Sequence, residues 1–235
     1  MKKMTLVQHF AELRRRVLWT ALFFVVAFLI GIYIAPQIQD FLTKPLLNVW
    51  PDGALIYTGL SDGMMIDLSL ALTFGLLIVL PVGLWHIWAY VAPGLKDKER
   101  SFIWPFIVLS PVLFVLGAAF AFYVLFPVVF GFFIDLNLSS PVPSVVMPAV
   151  RDYLGLAIGL LKVFGVAFQL PLVLVLLNRI GVLPRERIVA ARRYAIVLIV
   201  LVAAILTPPD VVSQILLAIP LWLLFEISIL FMRHD

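Results

Sequence analysis

The chain has 235 residues, of which 64% are hydrophobic and 13% are charged, and its mean hydropathy is +1.14. This balance lies outside the range of soluble globular domains, so the composition indicates an integral membrane protein. The sequence contains no cysteine, which excludes disulfides, thiolate metal sites and cysteine nucleophiles. The net charge of +4 does not argue for nucleic acid, because the basic residues of a membrane protein collect in its cytoplasmic loops.

The first apolar run, residues 17–35, follows a basic amino terminus and superficially resembles a signal peptide. It is longer than the apolar region of such a peptide, and no small-x-small cleavage pattern follows it. We therefore expect a retained first membrane span.

Apolar stretches long enough to cross about 30 Å of hydrocarbon recur along the whole chain. They predict an all-α membrane protein that forms a single domain over residues 1–235. Prolines inside these stretches, at Pro81, Pro111, Pro171 and Pro220, predict kinks. The six predicted spans cover residues 17–35, 64–91, 102–130, 153–178, 194–206 and 211–231.

Most of the basic residues lie on one side of the membrane in the predicted six-span topology. Fourteen of the seventeen lysines and arginines lie at the termini or in the connections after the second and fourth spans. Positive residues mark the cytoplasmic side, so both termini are expected to be cytoplasmic. The outer segments, residues 36–62 and 135–152, are expected to cap the opposite face.

The fifth span is short, because only sixteen residues separate Arg193 from Asp210. A helix of that length rises roughly 24 Å, less than the hydrocarbon thickness of about 30 Å. The tight connection TPPD after it predicts that the fifth and sixth spans form an antiparallel hairpin of short helices.

The chain offers little for catalysis. Its histidines, His9, His86 and His234, form no His-Glu-x-x-His pattern, and no glycine-rich phosphate loop is present. We expect no enzyme activity, no metal and no cofactor. A polytopic transporter of small solutes or ions stays open, because ionisable residues within spans mark such pathways. The polar residues near or within spans are Asp67, His86, Lys162, Gln169 and Glu226.

Two acidic residues, Glu12 and Glu99, lie within the basic segments. Glu12 precedes Arg16 by four residues, and a surface ion pair along one helix accounts for it. Glu99, in the segment KDKER, has Ile103 at that spacing and is less well explained. Glu226 has only Arg233 as a basic neighbour in its own segment, one heptad away.

Several segments, in order, resemble the TatC family, the multispanning receptor of the twin-arginine protein translocase. The resemblance covers nearly the whole chain. The segments are HFAELRRRV, KPLLNVWP, WHIWAYVAPGLKDKER, FGVAFQLPLVLVLL and LTPPDVVSQILLAIPLWLLFEI.

The resemblance implies a receptor in the cell inner membrane that binds twin-arginine signal peptides of folded cargo, with export driven by the proton-motive force. It implies TatA-type and TatB-type single-span partners, contact with membrane lipid, a homo-oligomer in the assembled complex, and neither nucleic acid nor cofactor. The signal-peptide residues would be Glu12, Arg14, Glu99 and Tyr90. Those for docking a partner helix would be Gln169, Thr207 and Asp210.

The sequence departs from the family at two of these positions. The family often has glutamate where this chain has Gln169, so a role that needs a charge there is in doubt. A hydrogen bond from Gln169 to a polar residue of a partner remains feasible. Tyr90 keeps the aromatic character that its position often has.

Overall fold

The computed structural model describes residues 6–51, 53–91, 97–139, 147–207 and 211–232. These ranges form helices and, apart from one isolated bridge between Ile56 and Ala149, no β-structure. The helices are, in order, α1 (Leu6–Tyr33), α2 (Ala35–Val49), α3 (Asp62–Val91), α4 (Asp97–Phe120), a π-helical turn (Ala121–Leu125), α5 (Phe126–Leu138), α6 (Val150–Ala167), α7 (Gln169–Arg179), α8 (Arg185–Ala190), α9 (Arg192–Leu206) and α10 (Val211–Leu230).

Five helical stretches in the described ranges are long and apolar enough to cross a membrane. They correspond to the first, second, third, fourth and sixth predicted spans, so the all-α multispanning prediction is confirmed. The predicted fifth span is helical as α9, whose 15 residues rise only about 22 Å. The five stretches are Phe10–Tyr33, Asp62–Ile87, Val108–Leu138, Val150–Arg179 and Val211–Leu230.

The chain divides into two compact units, one of Met1–Pro36 with Asp67–Val112 and the other of Gln37–Ile66 with Leu113–Asp235. Whether they act as the one membrane domain that the sequence suggests stays a prediction. The first unit contains α1, most of α3 and the first part of α4.

In the first unit α1 and α3 lie antiparallel and in close contact. Small residues allow this approach, as they commonly do between helices in a membrane. Three contacts fix the register: Thr20 with His86, Phe28 with Gly75, and Gly31 with Ala71.

The second unit is built around α6, whose inner face is buried along its length. Gly117 of α4 lies against the backbone carbonyl of Phe164, and Gly165 lies against the ring of Phe114. Phe126 and Phe164 are fully buried here. The π-helical turn before α5 accommodates an extra residue in this long helix. Beyond the turn, the sequence positions that face the core are therefore shifted by one residue.

The first outer segment contains a helix, α2, that the sequence analysis did not predict. It is amphipathic, and Pro45 within it together with Pro36 next to its start suggested an irregular segment. The Phe41 ring of α2 stacks on Phe122, with centroids 4.4 Å apart.

Two further contacts fasten the outer segments inside the second unit. The hydroxyl of Tyr153 donates a 2.6 Å hydrogen bond to the Leu42 carbonyl, which ties α6 to α2. The bridge between Ile56 and Ala149 pairs the two outer segments directly. They therefore form one connected structure; whether it caps one face of the membrane stays a prediction.

The predicted fourth span consists of two helices that meet at Phe168. Pro171, the third residue of α7, has no N–H and therefore leaves the carbonyl of Ala167 without its usual helical donor. The helices α3, α4 and α10 continue through Pro81, Pro111 and Pro220.

Candidate functional site

The contact between α1 and α3 includes a polar pair. The Thr20 hydroxyl lies 2.7 Å from Nδ1 of His86 and 2.9 Å from the carbonyl oxygen of Arg16. A hydroxyl has one proton, so when Thr20 donates to the Arg16 carbonyl it accepts from His86 Nδ1–H. The sequence analysis grouped His86 with the polar residues near or within spans and identified no partner for it. That partner is 66 residues away in sequence.

The antiparallel register of α1 and α3 places Glu12 and Tyr90, two of the residues predicted to bind the signal peptide, at one end of this helix pair. One turn beyond the contact between Thr20 and His86, Arg16 is level with Tyr90. Glu12 lies one further turn along α1, about 6 Å beyond that level. Tyr90 is half-buried near the end of α3.

Glu12 and Arg16 form the local ion pair that their spacing predicts. Both Nε and Nη2 of Arg16 bind the same carboxylate oxygen, Oε1 of Glu12, at 3.0 and 2.5 Å. The second oxygen, Oε2, is shielded from solvent and has no hydrogen-bond partner among the described residues. A carboxylate accepts several hydrogen bonds, so Glu12 retains the capacity to bind another donor.

Arg14 lies on a different face of α1. It is two residues from Glu12, which corresponds to about 200° around a helix. Arg14 and the adjacent Arg15 are both exposed. The structure therefore separates Arg14 from the Glu12 carboxylate, although the family resemblance grouped the two.

Glu99 lies in the first turn of α4, which begins at Asp97. Its side chain is outside the described part of the structure, so no distance relates it to Glu12. An acidic residue in the first turn of a helix also stabilises that helix by 0.3 to 1 kcal/mol, as an approximate range. Any test of Glu99 must therefore separate peptide binding from helix stability.

The residues expected to dock a partner helix lie in the second unit. Gln169 begins α7 and is only 8% exposed. Thr207, which follows α9, is buried, and its hydroxyl donates to the Ala203 carbonyl at 2.9 Å. Asp210 lies outside the described residues.

An apolar groove of about 220 Å³ lies between α9 and α10. Ile196 and Val200 line it from α9, and Ile219 and Trp222 line it from α10. Gln214 of α10 also donates a 3.0 Å hydrogen bond to the Val200 carbonyl. These contacts agree with the hairpin that the TPPD connection predicts.

The sequence analysis missed the partner of Glu226. Nη2 of Arg192, at the start of α9, lies 2.7 Å from Oε2 of Glu226, near the end of α10. The basic neighbour within the same segment is Arg233, whereas the pair that forms spans 34 residues. The hairpin prediction could have suggested it, because an antiparallel hairpin brings the start of one helix near the end of the next.

In the ranges that the structure describes, no three histidine, aspartate or glutamate side chains group as metal ligands would. The polar contacts on these helices instead join one helix to another, as in Thr20 with His86 and Arg192 with Glu226. The fold therefore defines an all-helical, multi-pass membrane protein.

Comparisons with known proteins place this protein more closely. The family model described as Sec-independent protein translocase protein (TatC) matches residues 8–220. A protein of that name from Magnetococcus marinus is 40% identical over 233 residues, which cover 99% of this chain and 85% of the relative. The protein of that name from Escherichia coli K12 is 37% identical over 97% of this chain and 88% of its own length. The chain belongs to the TatC family.

Solved structures agree with this assignment. A crystal structure of the twin-arginine translocase receptor TatC superposes with a TM-score of 0.85 at 33% identity, covering 95% of this chain and 97% of that one. A second crystal structure of that receptor, in the detergent DDM, gives a TM-score of 0.86 and covers 96% of this chain.

Family membership answers two questions that the sequence alone left open. It confirms the resemblance, and it favours a component of a protein translocase over a transporter of small solutes. It also confirms the expectation that the protein is not an enzyme, since the family serves protein translocation.

Proposed function

We propose that this protein is the receptor subunit of a twin-arginine translocase and binds the signal peptides of folded cargo at the end of the α1–α3 pair. The observation that carries the proposal is the Glu12 carboxylate. One of its oxygens binds Arg16, and the other is shielded and has no partner among the described residues. A guanidinium that reaches this oxygen gains a charge-assisted hydrogen bond in a partly desolvated place.

Arginine fits such a site better than lysine does. Its guanidinium is planar, always charged and able to bind a carboxylate through two parallel hydrogen bonds. A lysine ammonium offers a single point charge and loses more hydration on binding. One carboxylate binds one arginine in this way, so recognition of two arginines requires a second acidic residue.

Glu99 is the second carboxylate in this proposal. The register of α1 and α3 supports it, because Glu12 lies beyond the level of Tyr90 at the end of α3, and α4, which carries Glu99, is the next helix along the chain. Tyr90 supplies an aromatic surface at the same end of the pair. Arg14 belongs to the peptide-binding segment by family resemblance only. It lies on a different face of α1 from Glu12, so the two side chains would not contact the same arginine of the peptide.

The proposed topology has six spans and cytoplasmic termini. The basic residues support it, because fourteen of seventeen fall on the side where the twin-arginine peptide would be met. In this arrangement α9 is the short fifth span, and the Arg192–Glu226 pair lies at the cytoplasmic end of the α9–α10 hairpin. We place the protein in the cell inner membrane, with the proton-motive force as the energy source for transport.

The proposed partners are TatA-type and TatB-type single-span proteins that dock near Gln169, Thr207 and Asp210, in a complex with several copies of this chain. The apolar groove between α9 and α10 supports this, because a partner helix could fill it. The short α9 also leaves a thinned region that a partner helix would cover.

The decisive experiment measures peptide binding directly. The purified full chain in detergent should bind a signal peptide with two adjacent arginines and should lose at least tenfold in affinity, about 1.4 kcal/mol, when both become lysine. Equal affinity for the two peptides would contradict arginine recognition. Uptake of a small solute by vesicles that contain the chain alone would support the transporter instead.

A further inference from the structure

The outward face of α1 carries a feature that arginine binding by the Glu12 carboxylate does not explain. An open groove of about 450 Å³ runs along this face, lined by Ala11, Arg14, Arg15, Leu18, Trp19 and Leu22. Its basic end is two adjacent arginines, and its other end is apolar and continues into the first span.

The charge in this groove is uncompensated. Neither Arg14 nor Arg15 forms an ion pair or hydrogen bond with the residues that the structure describes. Arg16, by contrast, is neutralised by Glu12. Two unpaired guanidiniums attract an anion, ideally one with phosphate oxygens that accept paired hydrogen bonds.

The rest of the groove suits a lipid. Trp19 lies one turn from Arg15 and is 50% exposed, which is typical of an aromatic residue at the level of the headgroups. Leu18 and Leu22 are also exposed and follow Arg14 at successive four-residue steps. An acyl chain that descends from a headgroup at Arg14 would therefore lie along these leucines.

We propose that this groove binds one anionic glycerophospholipid, with the phosphate between Arg14 and Arg15 and one acyl chain along Leu18 and Leu22. The charge of the arginines selects an anionic headgroup, and the apolar half of the groove selects a lipid over free phosphate. The bound lipid fixes the depth of the start of α1 in the membrane.

Native mass spectrometry of the full chain in detergent, with equal amounts of phosphatidylglycerol and phosphatidylcholine, tests the proposal. We expect a phosphatidylglycerol adduct that Arg14→Gln and Arg15→Gln each weaken about fivefold, the effect of one basic residue at a membrane surface. The matched control is Arg187→Gln, which removes the same charge from an exposed position of α8 and should leave the adduct unchanged. Arg14→Lys and Arg15→Lys keep the charge and should retain most of the binding.

Three outcomes would overturn the site. These are equal binding of the two lipids, equal losses in Arg187→Gln and Arg15→Gln, and displacement of the adduct by excess inorganic phosphate. The location is checked by quenching with phosphatidylglycerol whose acyl chains carry bromine, since the quenched signal should fall when Trp19 is replaced by phenylalanine. If one glutamine variant fails to fold, the other glutamine variant and the lysine variants still decide the outcome.

Discussion

Thr20 and His86 join α1 to α3 through a 2.7 Å hydrogen bond. Beyond this bond, the start of α1 and the end of α3 both extend to the proposed peptide site. The same threonine hydroxyl contacts the Arg16 carbonyl, so the bond connects to the turn that holds the Arg16–Glu12 pair. Polar contacts between membrane helices contribute about 0.6 kcal/mol on average and up to about 1.7.

Replacing Thr20 by valine tests this contact. Valine keeps the branched shape but removes the hydroxyl, so thermal stability in detergent should fall by an amount within that range, about 0.6 to 1.7 kcal/mol. Thr20→Ser keeps the hydroxyl and should lose less. A double-mutant cycle with His86→Leu should show that the two losses are not additive. Equal losses in the serine and valine variants would mean that packing, rather than the hydrogen bond, holds the helices there.

Glu99→Gln should reduce affinity for a twin-arginine peptide at least tenfold, about 1.4 kcal/mol. Removing one member of a desolvated charge pair costs about 2 to 5 kcal/mol, whereas an exposed pair contributes under about 1 kcal/mol. The matched control is Asp97→Asn, because both residues lie in the first turn of α4 and share the helix-dipole effect. Small and equal losses of peptide affinity in the two variants would mean that Glu99 is an ordinary solvated acidic residue.

Glu12 and Arg16 should have opposite effects on the same peptide. Glu12→Gln removes the acceptor, so affinity should fall about tenfold if the carboxylate binds arginine directly. Arg16→Gln removes the residue that competes for Glu12, so affinity should rise about twofold, the equivalent of one weak helix-surface pair. Arg15→Gln lowers the charge equally but leaves the Arg16–Glu12 pair in place, so it should raise affinity less. Parallel losses at Glu12 and Arg16 would instead indicate that the pair serves only to stabilise α1.

Gln169→Leu should weaken co-purification of TatA-type or TatB-type partners while leaving peptide affinity unchanged. The amide is buried at the junction of α6 and α7 and is the polar group that the proposal assigns to partner docking, so its loss should weaken that contact. Gln39→Leu makes the same chemical change on α2, where Gln39 bonds to Tyr57, and should not affect partner binding. Loss of peptide binding with normal partner binding would reverse the assignment.

Gly117→Ala should destabilise the protein by about 1 to 3 kcal/mol, the usual cost of adding volume to a packed interior. The new methyl group would meet the backbone carbonyl of Phe164, which cannot rotate away as a side chain could. Gly155→Ala is the matched control, because its methyl group would enter open space and alanine favours the helix. Thermal unfolding of both variants in the same detergent makes the comparison, and equal stability would contradict the close crossing of α4 and α6.

The sequence predicted the features that depend on local composition. Apolar length located five of the spans, and the short connection TPPD predicted the hairpin of α9 and α10. The spacing of Glu12 and Arg16 predicted their ion pair, because residues four apart share a helix face. Each of these inferences needs only the period of a helix or the thickness of a bilayer.

Contacts between distant segments could not be predicted in the same way. His86 bonds to Thr20 and Glu226 bonds to Arg192 only because separate helices meet at a particular rotation. That rotation is set by where glycines such as Gly31 and Gly75 admit a neighbour, which a single sequence does not specify. The helix α2 was missed for another reason, since Pro45 lowers the helical signal of an amphipathic segment.

The π-helical turn at Ala121–Leu125 accommodates one residue more than the same stretch of α-helix would hold. Before the turn Phe114 and Gly117 face the core, and after it Phe126, Val129 and Phe130 do. Deleting one residue from AFYVL would restore an ordinary helix. Five π-helical residues turn through about the same angle as four α-helical ones, so the faces before and after this point would keep their alignment. A relative with one residue fewer here should therefore bury the same side chains of α5 in an unbroken α-helix.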